Sequence, residues 1–306
     1  MGDDPVARWL EQQLGQPLRR RSPVSGGCIH GAWRLELAGG GTLFAKGGGA
    51  EALPLLEAEA DGLAALAAAA EGSGLSVPRP RLLGRCGDQA LLVLDWLELG
   101  GSGPPDGWRR LGQGLARLHR ASLDRPCAAG DRPDGSFGWG RDNVIGATPQ
   151  ANGWLEDWGQ FFARRRLEPQ LALLARRGEA LRGGERLVEQ LPGWLSGHRP
   201  AASLVHGDLW SGNASLLVGG GGALFDPAVH RADREVDLAM ARLFGGFPEA
   251  FFAGYEQEWP LPEDHRRRVP LYNLYHLLNH ANLFGGSYRS QAQAGLDALL
   301  EGPPLT

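Results

Sequence analysis

The run Ser203-Leu204-Val205-His206-Gly207-Asp208-Leu209-Trp210-Ser211-Gly212-Asn213 constrains this chain more than any other stretch. A short apolar segment enters a tight polar loop, and a second apolar segment (Leu216, Leu217, Val218) leaves it. The loop places Asp208 and Asn213 five positions apart, the D-x-x-x-x-N spacing used in phosphoryl transfer. In that chemistry the Asp takes the proton of an attacking hydroxyl, and the Asn oxygen is a hard ligand for Mg²⁺. A further oxygen ligand is expected one short hairpin later, where Asp226 ends the apolar strand Ala223-Leu224-Phe225. Asp, Asn and Gly also fill ordinary turns, and it is Asp226 in register that favours the chemical reading.

The rest of the chain must supply partners for this loop. At 306 residues it is long enough for two lobes around a large core. A net charge of −4 argues against a general nucleic-acid binder. No apolar run reaches the ~18 residues of a membrane span, and the acidic start Met1-Gly2-Asp3-Asp4 is unlike a secretory signal, so a cytoplasmic location is expected. Cys28, Cys86 and Cys127 form no metal or disulfide pattern. The triple-arginine runs 19–21, 164–166 and 266–268 read as solvated faces. Among 31 basic residues, Lys46 is the sole lysine. In a chain that otherwise uses arginine throughout, it marks a site that needs a compact ammonium.

Lys46 sits in a suggestive context. After a leading helix over 5–14, a glycine-rich turn (Gly26, Gly27, Cys28, Ile29) separates two strands. Trp33–Leu37 alternates, glycines 39–41 turn, and Thr42–Lys46 is the next strand. The glycine backbone can fold over a triphosphate while the lysine reaches its α- and β-phosphates. The alanine-rich segment 52–70 predicts a helix. On its wheel Glu59 lies within the stripe of Leu53, Leu55, Leu56, Leu63 and Leu66, whereas Glu57 does not. A carboxylate facing a core needs a partner, and Lys46 is the natural one. Strands over 81–85 and 90–94 lead through Asp95-Trp96-Leu97-Glu98 into the Gly- and Pro-rich stretch 100–105. That stretch is either an interlobe hinge whose backbone reads adenine, with Asp95, Trp96 and Leu97 as its candidates, or an ordinary linker. Cys28, beside the phosphates, is also a candidate redox-sensitive thiol.

From Asp106 the pattern turns helical, with His119 as a packed histidine at a helix end. The irregular stretch 122–153, centred on Phe137–Gly146, reads as an ordered loop near the substrate. Helices over 154–177 and 183–195 follow. Asp237 precedes an apolar helical run, which it either caps or uses to hold the catalytic loop through backbone N–H groups. His276 and His280 share a helix face without a third ligand.

These segments together resemble the fructosamine kinase (ketosamine-3-kinase) family, in the aminoglycoside/choline kinase branch of the protein-kinase-like fold. The match lies in His206–Asn213 with its tryptophan, Ser25–Ile29 with its cysteine, Phe44–Lys46, Leu56–Glu59, the long loop Phe137–Asn152, Asp226–Ala228, Arg234–Met240 and Leu271–Ala292. Where the family usually carries a Tyr-Tyr-Gly type segment, this chain has Val229-His230-Arg231-Ala232. The resemblance implies a bilobal α+β architecture. Residues 1–98 would form a small antiparallel-sheet N-lobe with one main helix, and 99–306 a larger, mostly helical C-lobe. It implies ATP- and Mg²⁺-dependent phosphorylation of a ketosamine, free or protein-bound, at the 3-hydroxyl, after which the product releases its amine. The protein would be a monomer or homodimer with no nucleic-acid or membrane partner. Asp208 is then the base, Asn213 and Asp226 the metal ligands, and Lys46 with Glu59 the phosphate anchor. Trp210, His206, Trp139, Asp142, Asn143 and His280 are candidate substrate contacts. Trp210 is either a platform for the sugar or a core residue beneath the loop. Two rival readings remain: a kinase for an aminoglycoside, choline or simple sugar, for which Asp131, Asp134 and Asp142 would line an acidic groove, and a nucleotide-binding pseudokinase.

Overall fold

Alternating apolar residues in the first hundred positions become a five-stranded antiparallel sheet. The computed structural model describes residues 4–24, 31–101 and 103–302. Helix α1 (Pro5–Leu14) starts at Asp4, whose carboxylate accepts from Val6 N and Ala7 N, and ends at left-handed Gly15. Strands β1 (Leu18–Pro23), β2 (Gly31–Leu37) and β3 (Thr42–Gly49) follow, then a 3₁₀ turn at Ala50–Ala52 and helix α2 (Leu53–Ala69). After the two-residue strand β4 (Leu75–Ser76) come β5 (Pro80–Cys86) and β6 (Gln89–Asp95), and the sheet order is β1-β2-β3-β6-β5. Period-2 alternation in β6 sorts the two faces. Leu91 and Val93 pack with Val6 and Leu10 of α1, while Leu92 and Leu94 pack with Leu56, Leu63 and Leu66 of α2. Leu55 alone of the expected α2 stripe is exposed.

Strand β7 (Leu99–Gly101) carries the chain onward to α3 (Pro105–Ala121), whose Trp108, Leu111, Leu115 and Leu118 join the α2 core. A small hairpin, β8 (Asn143–Ile145) and β9 (Thr148–Gln150), lies inside the long irregular stretch. Helix α4 (Trp158–Phe161) passes through a π turn (Phe162–Leu167) into α5 (Glu168–Arg176), and α6 (Gly184–Trp194) follows. Strands β10 (Ala202–Val205), β11 (Ala214–Leu217), β12 (Gly222–Leu224) and β13 (His230–Asp233) surround the loop of interest. Helices α7 (Glu235–Leu243), α8 (Glu249–Glu258), α9 (His265–Phe284) and α10 (Ser287–Glu301) complete the chain. The second small sheet, β4-β12-β11-β7, ties early segments to late ones. Of these strands, β11 and β12 overlap apolar runs visible in sequence, whereas the two-residue β4 leaves no pattern to read. No helix among the described residues is long and apolar enough to cross a membrane.

Two of the three arginine runs are solvated only in part, because each turns its last arginine inward. Arg166 and Arg268 are fully buried. Arg268 sits between Glu235 (2.8 and 2.9 Å) and Asp264 (2.7 and 3.0 Å), a forked geometry that only a guanidinium offers. Glu235 is itself buried. Arg268→Met should therefore cost about 3–5 kcal/mol, because it strands a buried carboxylate. The urea midpoint checks this, and a change near zero would show that the pair contributes little net stability. The segment Val229–Ala232 also has a structural account. Arg231 points inward to Asp131 (2.5 and 2.8 Å) and to the carbonyls of Ser122 and Ala202 (both 2.9 Å), so this segment braces the loop before β8.

Candidate active site

Alternation along β3 decides where the lysine goes. Ala45 lies in the core under α1, so Lys46 projects from the opposite face, towards α2. There its Nζ contacts Glu59 and lies 2.9 Å from Asp226 Oδ1, bridging positions 180 residues apart. Glu57 instead turns outward to Arg141, at 3.5 Å. Burial works against the lysine charge, but Glu59 and Asp226 outweigh it and hold the ammonium above its ordinary pKa. Burial pushes the Glu59 carboxyl up, and Lys46 offsets that only in part.

The catalytic loop runs from β10 to β11. Gly207 has φ +80°, and a Cβ there would lie 2.1 Å from the Ala228 carbonyl oxygen, so only glycine fits. Asp237, buried in the first turn of α7, accepts from His206 N at 2.7 Å and Gly207 N at 2.9 Å. Of the two roles expected for it, this is the loop-holding one. Burial pushes its carboxyl up, but hydrogen bonds from His119 and Gly207 outweigh that and keep it low. His119 Nε2 lies 3.1 Å from Asp237, and its Nδ1 lies 2.9 Å from the Tyr255 hydroxyl. His119 is packed, as expected, and it also holds the Asp237 carboxylate in place. Sequence reasoning did not find that link, although a histidine and an aspartate on apolar helix faces each require a buried partner.

Asp208 is the next residue. Its carboxyl is pushed up to about 7, first by burial and then by the charges of Asp237 and Asp226, with Asn213 opposing. Asn213 Nδ2 donates to the Asp208 carbonyl (2.9 Å), the Asp208 carboxylate (3.3 Å) and the Asp226 carbonyl (3.3 Å). With the amide hydrogens so directed, Asn213 Oδ1 is the atom free to meet a cation. Asp226 has φ +52°, the one positive φ at a non-glycine among the described residues. That conformation costs about 1–3 kcal/mol and persists only where the surroundings enforce it. The Asp226 side chain is 54% exposed towards the cleft. One carboxylate and one amide oxygen at this spacing suit a hard divalent cation that takes its remaining ligands from water and phosphate.

The other expected positions are distributed as follows. Trp210 is 40% exposed, with its ring folded over Gly212, where a Cβ would lie 2.3 Å away. It is no core residue. His206 is buried, with Nε2 donating to the Phe225 carbonyl and Nδ1 accepting from Asp208 N. Trp139 is buried, its Nε1 donating to Asp61 at 2.7 Å. Asp142 accepts from Asn152 N, and Asn143 donates to the Val229 carbonyl. His280 Nδ1 meets the His276 carbonyl, and its ring lies 4.5 Å from that of Phe244. Asp95 is held by Arg81 and by Arg79 N. Trp96 and Leu97, by contrast, make no backbone hydrogen bond to another described residue. Gly26, Gly27, Cys28 and Ile29 lie outside the described residues, and the thiol chemistry expected of Cys28 with them.

A lysine–glutamate pair beneath an antiparallel sheet, facing a D-x-x-x-x-N loop and a further aspartate, defines a phosphotransferase of the protein-kinase-like fold with an alcohol acceptor. An amicoumacin kinase structure, 15% identical and covering 100% of this chain and 98% of its own, shares the fold at a TM-score of 0.59. The fructosamine kinase family model matches residues 3–302, and the chain belongs to that family. It is similar to a probable ketoamine kinase of Synechocystis, at 44% identity over 96% of both chains. A Haemophilus somnus structure, provisionally named a fructosamine-3-kinase, superposes with a TM-score of 0.84 at 26% identity over 97% of both chains.

Proposed function

We propose that this protein transfers the γ-phosphoryl group of ATP, with Mg²⁺, to the 3-hydroxyl of ketosamines such as fructosamine or ribulosamine adducts. The observation that carries the reading is the convergence of Asp208, Asn213, Asp226 and Lys46 in one cleft, with Asp208 held near neutrality by its surroundings. Asp208 orients the acceptor hydroxyl and takes its proton. A carboxyl near pH 7 is well matched to that task. Asn213 Oδ1 and the Asp226 carboxylate would hold Mg²⁺, which supplies charge neutralisation to the phosphates. Lys46, fixed by Glu59, sets the α- and β-phosphates. The unengaged backbone of Trp96 and Leu97 is available for the adenine edge. Exposed Trp210 offers a flat apolar face to the sugar one turn from the base. Most of the rate enhancement then comes from positioning and electrostatics, since the transition state is loose.

The ketosamine half rests on family membership and on the names of the relatives. The aminoglycoside alternative loses one of its three acidic residues. Asp131 is buried against Arg231, while Asp134 and Asp142 each accept a backbone N–H and stay exposed. The decisive experiment supplies a model ketosamine with ATP and Mg²⁺ and locates the phosphate by ³¹P–¹H NMR. A 3-phosphate is expected. Phosphorylation of aminoglycosides or choline with no turnover of any ketosamine would overturn the acceptor assignment.

A further inference from the structure

The strained turn at Asp226 is held by its neighbours and not by its own side chain, whose carboxylate reaches out to Lys46. On one side, Phe225 N donates to the Asn213 carbonyl at 3.0 Å, and His206 Nε2 donates to the Phe225 carbonyl at 3.0 Å. On the other side, Ala228 N donates to the His206 carbonyl at 2.8 Å. The next two carbonyls are taken by the β8–β9 hairpin. Gln150 Nε2 donates to Ala228 O at 3.3 Å, and Asn143 Nδ2 donates to Val229 O at 2.9 Å.

Asn143 is itself rigidly placed. Its Oδ1 accepts from Gln150 Nε2 at 2.8 Å and from Asn152 Nδ2 at 2.9 Å. The Tyr275 hydroxyl donates to Gln150 Oε1 at 2.6 Å. Behind this layer stands Arg166, from the π turn, a fully buried guanidinium hydrogen-bonded to no carboxylate among the described residues. It donates to Ala151 O at 2.6 Å and to Asn152 Oδ1 at 2.7 Å. Burial brings its pKa down to about 10, which marks the cost of keeping a charge there. Two of its three hydrogen bonds go to the strap just after β9, so that cost is tied to the geometry of the hairpin.

Resting on the metal assignment above, we infer that Asn143, braced by Gln150 and by Asn152 with Arg166, is a positioning residue that sets Asp226 for the divalent cation. The hairpin is then a buttress of the metal-binding turn, and the acceptor is contacted elsewhere. Groups that orient a metal ligand from behind typically change metal affinity about 10–100-fold when removed.

The probe is Mn²⁺, titrated calorimetrically into the full-length protein saturated with a non-hydrolysable ATP analogue. Asn143→Ala should weaken Mn²⁺ binding about tenfold while the ketosamine KM stays unchanged. Tyr275→Phe removes only one outer hydrogen bond, keeps the test open should Asn143→Ala fail to fold, and should weaken binding about threefold. A merely structural role would lower the melting temperature of both variants and leave Mn²⁺ affinity alone, and that outcome overturns the proposal. So does a raised ketosamine KM with unaltered Mn²⁺ binding, which would put Asn143 on the acceptor. Binding that is insensitive to Asp226→Ala would instead remove the metal assignment, and this inference with it.

Discussion

Asp208→Asn is expected to lower turnover by about 10²–10⁴, to leave nucleotide binding nearly intact, and to raise the melting temperature above pH 7. The first effect follows from removing the only carboxylate that the loop presents beside Asn213. The last follows from what the site costs to maintain. Burial and the charges of Asp237 and Asp226 push the Asp208 carboxyl up to about 7, well above the ~4 of an unfolded chain. A group whose pKa is raised on folding contributes stability that is complete below its unfolded value. That contribution is lost as pH rises through the folded value. At pH 8 the wild-type protein therefore carries a buried charge that it would hold more cheaply as the acid, and the amide removes that charge. A gain of roughly 1 kcal/mol, or about 2–4 °C, is in the usual range for relieving active-site strain. The same balance sets the rate profile. In wild type, kcat/KM should fall about tenfold per pH unit below the Asp208 pKa. That limb lies at or below about 7, because a cation at Asp226 would favour the charged form. Activity and melting curves of both proteins from pH 5 to 9 check all of this together. Full turnover by the asparagine variant would end the base assignment.

The parts of this site that were legible in sequence are those whose signal is local. Asp208 and Asn213 share one loop, and Asp226 ends the next hairpin, so spacing alone brings them together. Glu59 was readable because a helix has a fixed period, and a carboxylate inside an apolar stripe must find a cation. What stayed hidden depends on partners far away in the chain. Arg268 and Arg166 looked like members of charged, solvated runs, and only the tertiary structure reveals that one clamps Glu235 and the other the strap after β9. A long polar side chain carries no mark of burial in sequence, since its acceptors here are backbone carbonyls and distant carboxylates. The stretch 122–153, centred on 137–146, reads in sequence as an ordered loop near the substrate, because length and aromatic content suggest function. Its Asn143 and Gln150 donate to the Val229 and Ala228 carbonyls, a link to the turn after Asp226 that no local pattern announces. Asp237 lay between these extremes. Both of its possible roles were visible, and which one it plays depended on where His206 and Gly207 point their amides.

Lys46→Arg should reduce kcat/KM for ATP by about 10²-fold, although it conserves the charge. The ammonium is a point donor that contacts Glu59 and lies 2.9 Å from Asp226 at once. A planar fork is longer and cannot meet both carboxylates from the same Cα position without displacing one. The strand gives little room for adjustment. Lys46 faces Leu92 across the ladder, and a Cβ on neighbouring Gly47 would lie 2.5 Å from the Ala90 carbonyl oxygen, so the backbone is locked in its register. Lys46→Met should lose at least as much activity, and its stability should depend on pH where that of the arginine variant does not. Without the lysine, burial raises the Glu59 carboxyl further, so the methionine variant should melt closer to wild type at pH 6 than at pH 8. The two variants thus separate charge from shape. An arginine variant with full activity would mean that the sole lysine in this arginine-rich chain survived by chance. Loss of activity in both, with pH-sensitive melting only in the methionine variant, would mean that the compact ammonium itself is required to hold Glu59 and the phosphates in one geometry.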